Sequence, residues 1–381
     1  MKKTIYSLIL AMIILFSSCS KTDVNNITTD KNGLKVYKNS KPSDKNFKYM
    51  TEELFSIGDN IDDEIDTNKV FNDITMIKSD SEGNLYVLDR RKSVLRKFNT
   101  NGDFILSMGK RGTGPGEMIR ATDMAIVEDT IYVSDMRSRK VLRFNQDGKF
   151  INDIMMPRET GSPRSFKKLS SNRFVGMLSR VARNSGAREM TMNLAIMDKK
   201  FNVLYSLHSE TFDFDWETFN PLDHNIEFTT GNNKIYVAET SESKYSIEVY
   251  DIEGKHIETI KKNYARIKYS DDEKLIMKEQ MESRSRRHTL DTEILNFKNA
   301  IKRVYFDKNG YLLVESSQKR NKANLNNFIL DIFKDGQLLN TVDLNSTDDF
   351  YISNEMYEKN FLDNRIVVSD VANMMIKTYS Y

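Results

Sequence analysis

The chain predicts an all-β fold: six four-stranded blades closed into a ring, a six-bladed β-propeller. Three observations carry this prediction. An apolar-Tyr-Val-x-Asp pattern recurs six times, glycine turns fall at matching offsets between the copies, and an unassigned strand near the N-terminus is available to complete the last blade.

The copies set the blades. Leu85 to Phe98 reads LYVLDRRKSVLRKF and Ile131 to Phe144 reads IYVSDMRSRKVLRF, each with an aromatic nine residues after its acid. Ile366 to Tyr379 (IVVSDVANMMIKTY) keeps that spacing, whereas Ile235 to Tyr250 (IYVAETSESKYSIEVY) is stretched by two. Degenerate copies start at Tyr311 (YLLVE) and Arg173 (RFVGM). The fifth positions are Asp89, Asp135, Met177, Glu239, Glu315 and Asp370, irregularly spaced about the ~40–50 residues of a four-stranded blade. Period-2 alternation between Gly, Asn and Asp turns marks each copy as strand.

The turns come next. Asp80 to Asn84 and Asp307 to Gly310 join first and second strands, while Asn101-Gly102, Asp147-Gly148, Glu253-Gly254 and Asp335-Gly336 join third and fourth. These are hairpin signals. None has the spaced oxygen series ending in glutamate that a calcium hand needs. The chain stops at Tyr381, directly after a third strand, so Phe47 to Gly58 is expected to supply the missing fourth strand of blade six.

Ahead of the ring lies an export signal. Lys2 and Lys3 precede an apolar run from Ile5 to Phe16, and Ser17 and Ser18 precede Cys19, the only cysteine. This is the pattern of a lipoprotein signal peptide over 1–18. A lipobox usually has leucine three places before its cysteine; here that place is Phe16, and Leu15 is one further back. Lipidation is expected at Cys19, followed by a flexible polar stalk to residue 46 and a propeller domain over 47–381. The apolar run is shorter than the ~20 residues a spanning helix needs. These features imply a cell-envelope location, lipid-anchored on the periplasmic side or at the surface of the outer membrane.

With Lys2 and Lys3 removed, basic and acidic residues balance, so no global charge calls for nucleic acid. One cysteine allows no internal disulfide. The core alone must hold the roughly 330-residue domain, which is large enough to do so.

Residues 109 to 118, GKRGTGPGEM, together with the YVLD and YVSD units, resemble the NHL repeat, well in blades one and two and poorly in blades three and five. The chain is similar to bacterial six-bladed propeller lipoproteins of the NHL-like group. That resemblance implies two relatives with chemistry: amidating lyases with histidines around a channel zinc, and gluconolactonase-type lactonases with a divalent cation such as calcium. The four histidines here, His208, His224, His256 and His288, are scattered over different connections. Asp73, Asp123 and Glu227 lie near inner strand ends and are the candidate metal ligands of an alternative, hydrolytic reading. GTGPGE is followed by a strand rather than a helix, so neither a dinucleotide nor a phosphate-loop reading holds.

The recurring acids Asp89, Asp135, Glu239, Glu315 and Asp370 are expected to cap backbone at turns, since one acid per blade does not converge on a ligand. Charge placement is more informative. Loops between second and third strands share a face with the blade-to-blade connections, and there lie Arg90, Arg91, Arg137 and Arg139, with Lys110 and Arg111. These six, with Trp216 in the aromatic insertion TFDFDWETFNPL, are the candidate ligand-binding residues. A second insertion, from Ser270, has a capping-box start with Glu273 and is expected to form a short helix packed through Leu275, Ile276 and Met281. The favoured function is non-catalytic: a tethered binding or scaffolding module without a cofactor, holding an anionic glycan or a protein partner on its basic face.

Overall fold

The computed structural model describes residues 25–58, 66–184, 187–215, 226–275, 296–319, 328–344, 357–370 and 374–381. Six antiparallel sheets form the ring, with first strands Ile74–Ser79, Ala121–Val127, Ser162–Ser170, Phe228–Gly231, Ile301–Phe306 and Tyr357–Leu362. First strands of neighbouring blades approach one another around the central axis.

Burial explains the repeat. The second strand of blade one, Leu85–Asp89, is buried at every position because blades pack against both of its faces. Among the described residues, one hydrophobic cluster fills each junction. Leu88, Met124 and Val133 meet between blades one and two, and Tyr132, Phe166 and Phe174 between two and three. Val175 and Ile235 meet between three and four, Ile247 and Val314 between four and five, and Leu313 and Ile366 between five and six. Ile77, Val367 and Ile376 then close the ring between six and one.

Closure occurs as the sequence predicts. Glu52–Ile57 pairs antiparallel with Met375–Ser380, placing Ile57 opposite Ile376 and completing blade six. The capping box also forms. Ser270 Oγ accepts from the Glu273 amide at 3.3 Å, the Ser270 amide donates to Glu273 Oε2 at 2.9 Å, and residues 271–275 are helical. Leu275, however, is exposed rather than packed, and Ile276 and Met281 lie outside the described residues.

The expectation of a flexible stalk over 19–46 is corrected for residues 25–46; residues 19–24 lie outside the described residues. Asn25–Thr29 and Lys35–Asn39 form a hairpin, and its second strand pairs in parallel with His256–Lys262, the outer strand of blade four. Composition hid this, since only Val36 and Tyr37 of KVYKN are apolar, yet both are buried. The chain continues along blade five, where the Ser43 and Asp44 amides donate to the Leu338 and Leu339 carbonyls at 3.0 and 2.9 Å. Phe47 and Tyr49 then pack edge-on against Tyr311 and Tyr381. The propeller unit therefore begins by residue 25 and carries a belt over blades four, five and six; Cys19 lies outside the described residues.

Candidate functional site

The recurring acids prove to be caps in the two best copies. Asp89, fully buried, accepts the Asn72 amide at 2.9 Å and the Lys92 amide at 3.1 Å. Asp135 accepts the Ile119 and Arg120 amides at 2.7 and 3.0 Å and the Ser138 hydroxyl at 2.9 Å. Each ties a loop between second and third strands to the connection entering its own blade. The turn acids act similarly: Asp80 Oδ1 accepts the Glu82 and Asn84 amides at 3.0 and 2.9 Å, with Gly83 at φ +85°.

GKRGTGPGEM folds on itself. Lys110–Arg111 pairs in parallel with Glu117–Met118, Gly114 donates to Glu117 Oε2 at 2.8 Å, and Lys110 Nζ lies 3.2 Å from Glu117 Oε1. A Cβ on Gly112 would fall 2.0 Å from that carboxylate, so a larger residue there must push the Glu117 side chain out of its bonds. Lys140, almost buried, donates to the Gly114 carbonyl at 3.2 Å and to Asp153 at 3.0 Å.

The sequence-predicted site residues divide into paired and unpaired groups. Arg90 grips Asp73, with Nε and a terminal nitrogen each 2.8 Å from Oδ2. Arg90 is thus no open cation, and Asp73 is no open carboxylate. Asp123 is turned away from solvent, accepting the Phe166 amide at 2.6 Å and the Met124 amide at 2.8 Å. Burial pushes its carboxyl up to about 6 against the pull of Lys78 and these amides. Glu227 acts electrostatically on Lys167 and Tyr305. Among the described residues, no three of His, Cys, Asp and Glu are grouped to hold a metal ion. Trp216 lies outside the described residues, while Phe214 beside it is buried.

Arg91, Arg111 and Arg137 are exposed and Arg139 half-buried, all on the face of loops between second and third strands and blade-to-blade connections. Among the described residues none of the four has a carboxylate within ion-pair distance. Two further arginines on this face escaped sequence reasoning. Arg164 donates from Nε to Ser179 Oγ at 2.8 Å, and burial, reinforced by the charge of Arg120, pulls its guanidinium below its usual range. Neither has an acidic partner among the described residues. The signal for this pair was weak, because Arg120 precedes the inner strand of blade two and Arg164 lies in that of blade three, 44 positions on.

The channel holds a second group missed in the sequence. The inner strands of blades one, two, three and five each carry a bulge, falling between Ile74 and Met76, Ala121 and Asp123, Arg164 and Lys167, and Ile301 and Arg303. A bulge re-aims the side chains next to it. Lys167, after the bulge in blade three, sits 5.5 Å from the Phe228 ring; burial and then Lys78 push its ammonium down to about 8, partly offset by Glu227 and Asp123.

No curated protein sequence matches the chain. Among solved structures, a Bacteroides fragilis protein described as exported aligns at TM-score 0.54 and 14% identity, covering 90% of this chain and 99% of its own. A member of the DUF4221 family from Bacteroides vulgatus aligns at 0.50 and 10%, covering 88% and 96%. A gluconolactonase from Xanthomonas campestris aligns at 0.40 and 10%, covering 81% and 87%. At these identities the likeness shows the fold alone. A family model described as a 6-bladed beta-propeller matches residues 43–329, from the belt through blade four and into blade five, and the chain accordingly belongs to the DUF5128 family of six-bladed β-propellers.

Proposed function

We propose that this propeller is a non-catalytic binding module of the cell envelope, tethered by lipid at Cys19, that holds an anionic partner on its basic loop face. The observation that carries the reading is a set of arginines, Arg91, Arg111, Arg120, Arg137 and Arg139, left without carboxylate partners among the described residues on one face of a chain whose mature charge balances. Unneutralised like charges repel one another, and an anion relieves that repulsion while gaining several favourable contacts. No helix among the described residues is long and apolar enough to cross a membrane. The GKRGTGPGEM loop and the YV-x-D units, the features that resemble NHL repeats, act here as scaffolding for this face.

The metal-dependent alternative requires Asp73, Asp123 and Glu227 to converge. The Arg90 ion pair on Asp73 and the two amides on Asp123 work against it.

Retention on an immobilised acidic polysaccharide tests the proposal. Binding is expected to fall with salt, because the Debye length at physiological ionic strength is only about 8 Å. It is expected to collapse in an Arg91→Glu/Arg137→Glu variant and to persist in Lys199→Glu/Lys200→Glu, which alters a third-to-fourth strand turn on the opposite face. Equal effects of the two reversals would refute it.

A further inference from the structure

We infer that the anionic partner of the basic face is a lipid surface, the one in which the chain is anchored, and that the propeller lies with this face against the bilayer. The inference rests on the lipid-anchor reading of Cys19 and the basic-face reading above. Three independent features of the chain support it.

The first is where the chain enters the ring. Asn25 pairs with Asn39, and Asn39 pairs with Lys262, the last residue of the outer strand of blade four. Beyond Lys262 the chain passes into a blade-to-blade connection, so that end of the strand belongs to the basic face. Asn25 therefore starts at the rim of this face, not of the opposite one.

The second is length. Cys19 and Asn25 are six positions apart, a reach of roughly 20 Å when fully extended. The outer strand of blade four, His256–Lys262, has seven residues, hence six intervals, and spans roughly 20 Å between the two faces. A tether fully extended in climbing this distance has no slack left to turn the opposite face to the membrane. The tether allows only an edge-on or a basic-face-on arrangement, and charge selects between them.

The third is the hairpin of blade three, next to the tether. Its second and third strands, Arg173–Asn184 and Ala187–Asp198, have twelve residues each. The inner strand stops pairing at Ser162 opposite Ser179, so Arg180 to Asn184 stand about five residues, roughly 17 Å, beyond it; the outer strand follows as far as Asp213 opposite Glu189, leaving the arginine pair at Arg183 and Arg188 as the tip above that acidic pair. This projection carries exposed Arg180 and Arg183 and a 45% exposed Val181. Arg183 lies directly across from Arg188, a like-charge cross-strand pair that is unfavourable on its own. Among the described residues none of these arginines has a carboxylate partner. An anionic headgroup layer neutralises the pair, and Val181 enters its boundary. On blade four itself, Glu239 and Glu242 are already matched by Lys244 and Arg266, so they present no net acid to the surface.

The test uses the lipidated full chain in phosphatidylcholine vesicles containing roughly 30% phosphatidylglycerol, an anionic fraction sufficient for a negative surface potential. Cys19 is the only native cysteine and is blocked by its lipid, so a dye can be placed at Ser243→Cys, in the second-to-third strand loop of blade four, or at Lys255→Cys, in its opposite turn. A headgroup quencher is expected to quench the Ser243 position severalfold more than the Lys255 position; equal or reversed quenching overturns the inference. In a second arm, the unlipidated Cys19→Ser chain is expected to bind anionic but not pure phosphatidylcholine vesicles. Arg180→Glu/Arg183→Glu is expected to weaken that binding at least tenfold, at roughly fivefold per basic residue removed. Retention on the acidic polysaccharide without binding to anionic vesicles overturns the lipid assignment and leaves the basic-face reading standing. Failure to bind either surface overturns both, and absence of lipid on Cys19 removes the tether argument and with it the inference.

Discussion

Asn39 and Leu338 stand 299 positions apart and share a buried hydrogen bond, the Leu338 amide donating to Asn39 Oδ1 at 2.9 Å. The same side chain donates from Nδ2 to the Gly336 carbonyl at 3.0 Å and the Lys261 carbonyl at 3.2 Å. One amide thus clamps the N-terminal hairpin onto the outer strand of blade four and the last turn of blade five. Tyr37 lies so close beneath Gly336 that a Cβ there would fall 2.6 Å from its ring. The belt is a structural member of the ring.

Asn39→Ala removes the buried side-chain bonds to the Leu338 amide and the Gly336 carbonyl and the part-buried one to the Lys261 carbonyl, and is expected to lower stability by ~1–3 kcal/mol in denaturant unfolding. Removing residues 20–24 should leave the melting temperature unchanged, whereas removing 20–46 should lower it by several degrees. Equal melting temperatures for the two truncations would show that the belt contributes nothing.

Asp123 titrates near 6 in the folded protein and near 3.8 when unfolded. Between these values the folded state holds the extra proton, so its stability falls as pH rises from about 4 to about 6. Asp123→Asn keeps an oxygen for the Phe166 amide and has no charge to desolvate; its stability profile should be flatter over that window, by up to ~3 kcal/mol. Parallel profiles for the two proteins would contradict this account of the buried carboxyl.

Lys167 should reveal its lowered affinity for protons in its reactivity toward an amine-acylating reagent, read residue by residue by mass spectrometry. Half-maximal labelling is expected near pH 8. Lys78→Gln removes a repelling cation and should move that midpoint up, while Glu227→Gln removes an attracting anion and should move it down. A midpoint at the ordinary lysine value would mean that the channel is wetter than the structure indicates.

Arg90 and Asp73 are partly exposed, so their ion pair is expected to contribute ~1 kcal/mol or less in a double-mutant cycle, and less at high salt. A much larger coupling would mark the pair as part of a desolvated site.

Cys19→Ser should abolish incorporation of labelled fatty acid and turn a salt-resistant membrane association into one that a high-salt wash releases, because the basic face then holds the bilayer by charge alone and no helix among the described residues is long and apolar enough to cross it. A membrane-bound Cys19→Ser protein that still carries label would end the lipoprotein reading.

The sequence by itself determined whatever depends on neighbours along the chain. Strand alternation, the glycine turns at Gly83 and Gly310 and the capping role of Asp89 and Asp135 all arise from local patterns repeated from blade to blade, and the count of strands in the last copy pointed to Glu52–Ile57 as its closing strand. Tertiary structure decided what depends on partners brought together across blades or over long separations. The belt strand Lys35–Asn39 has only two apolar residues and pairs in parallel with a strand more than two hundred positions away, a match no local pattern encodes. Arg90 meets Asp73 only because the second strand returns along the first. Bulges in the inner strands re-aim Asp123 and Lys167, so their environments are set by the register of three blades at once rather than by the residues beside them.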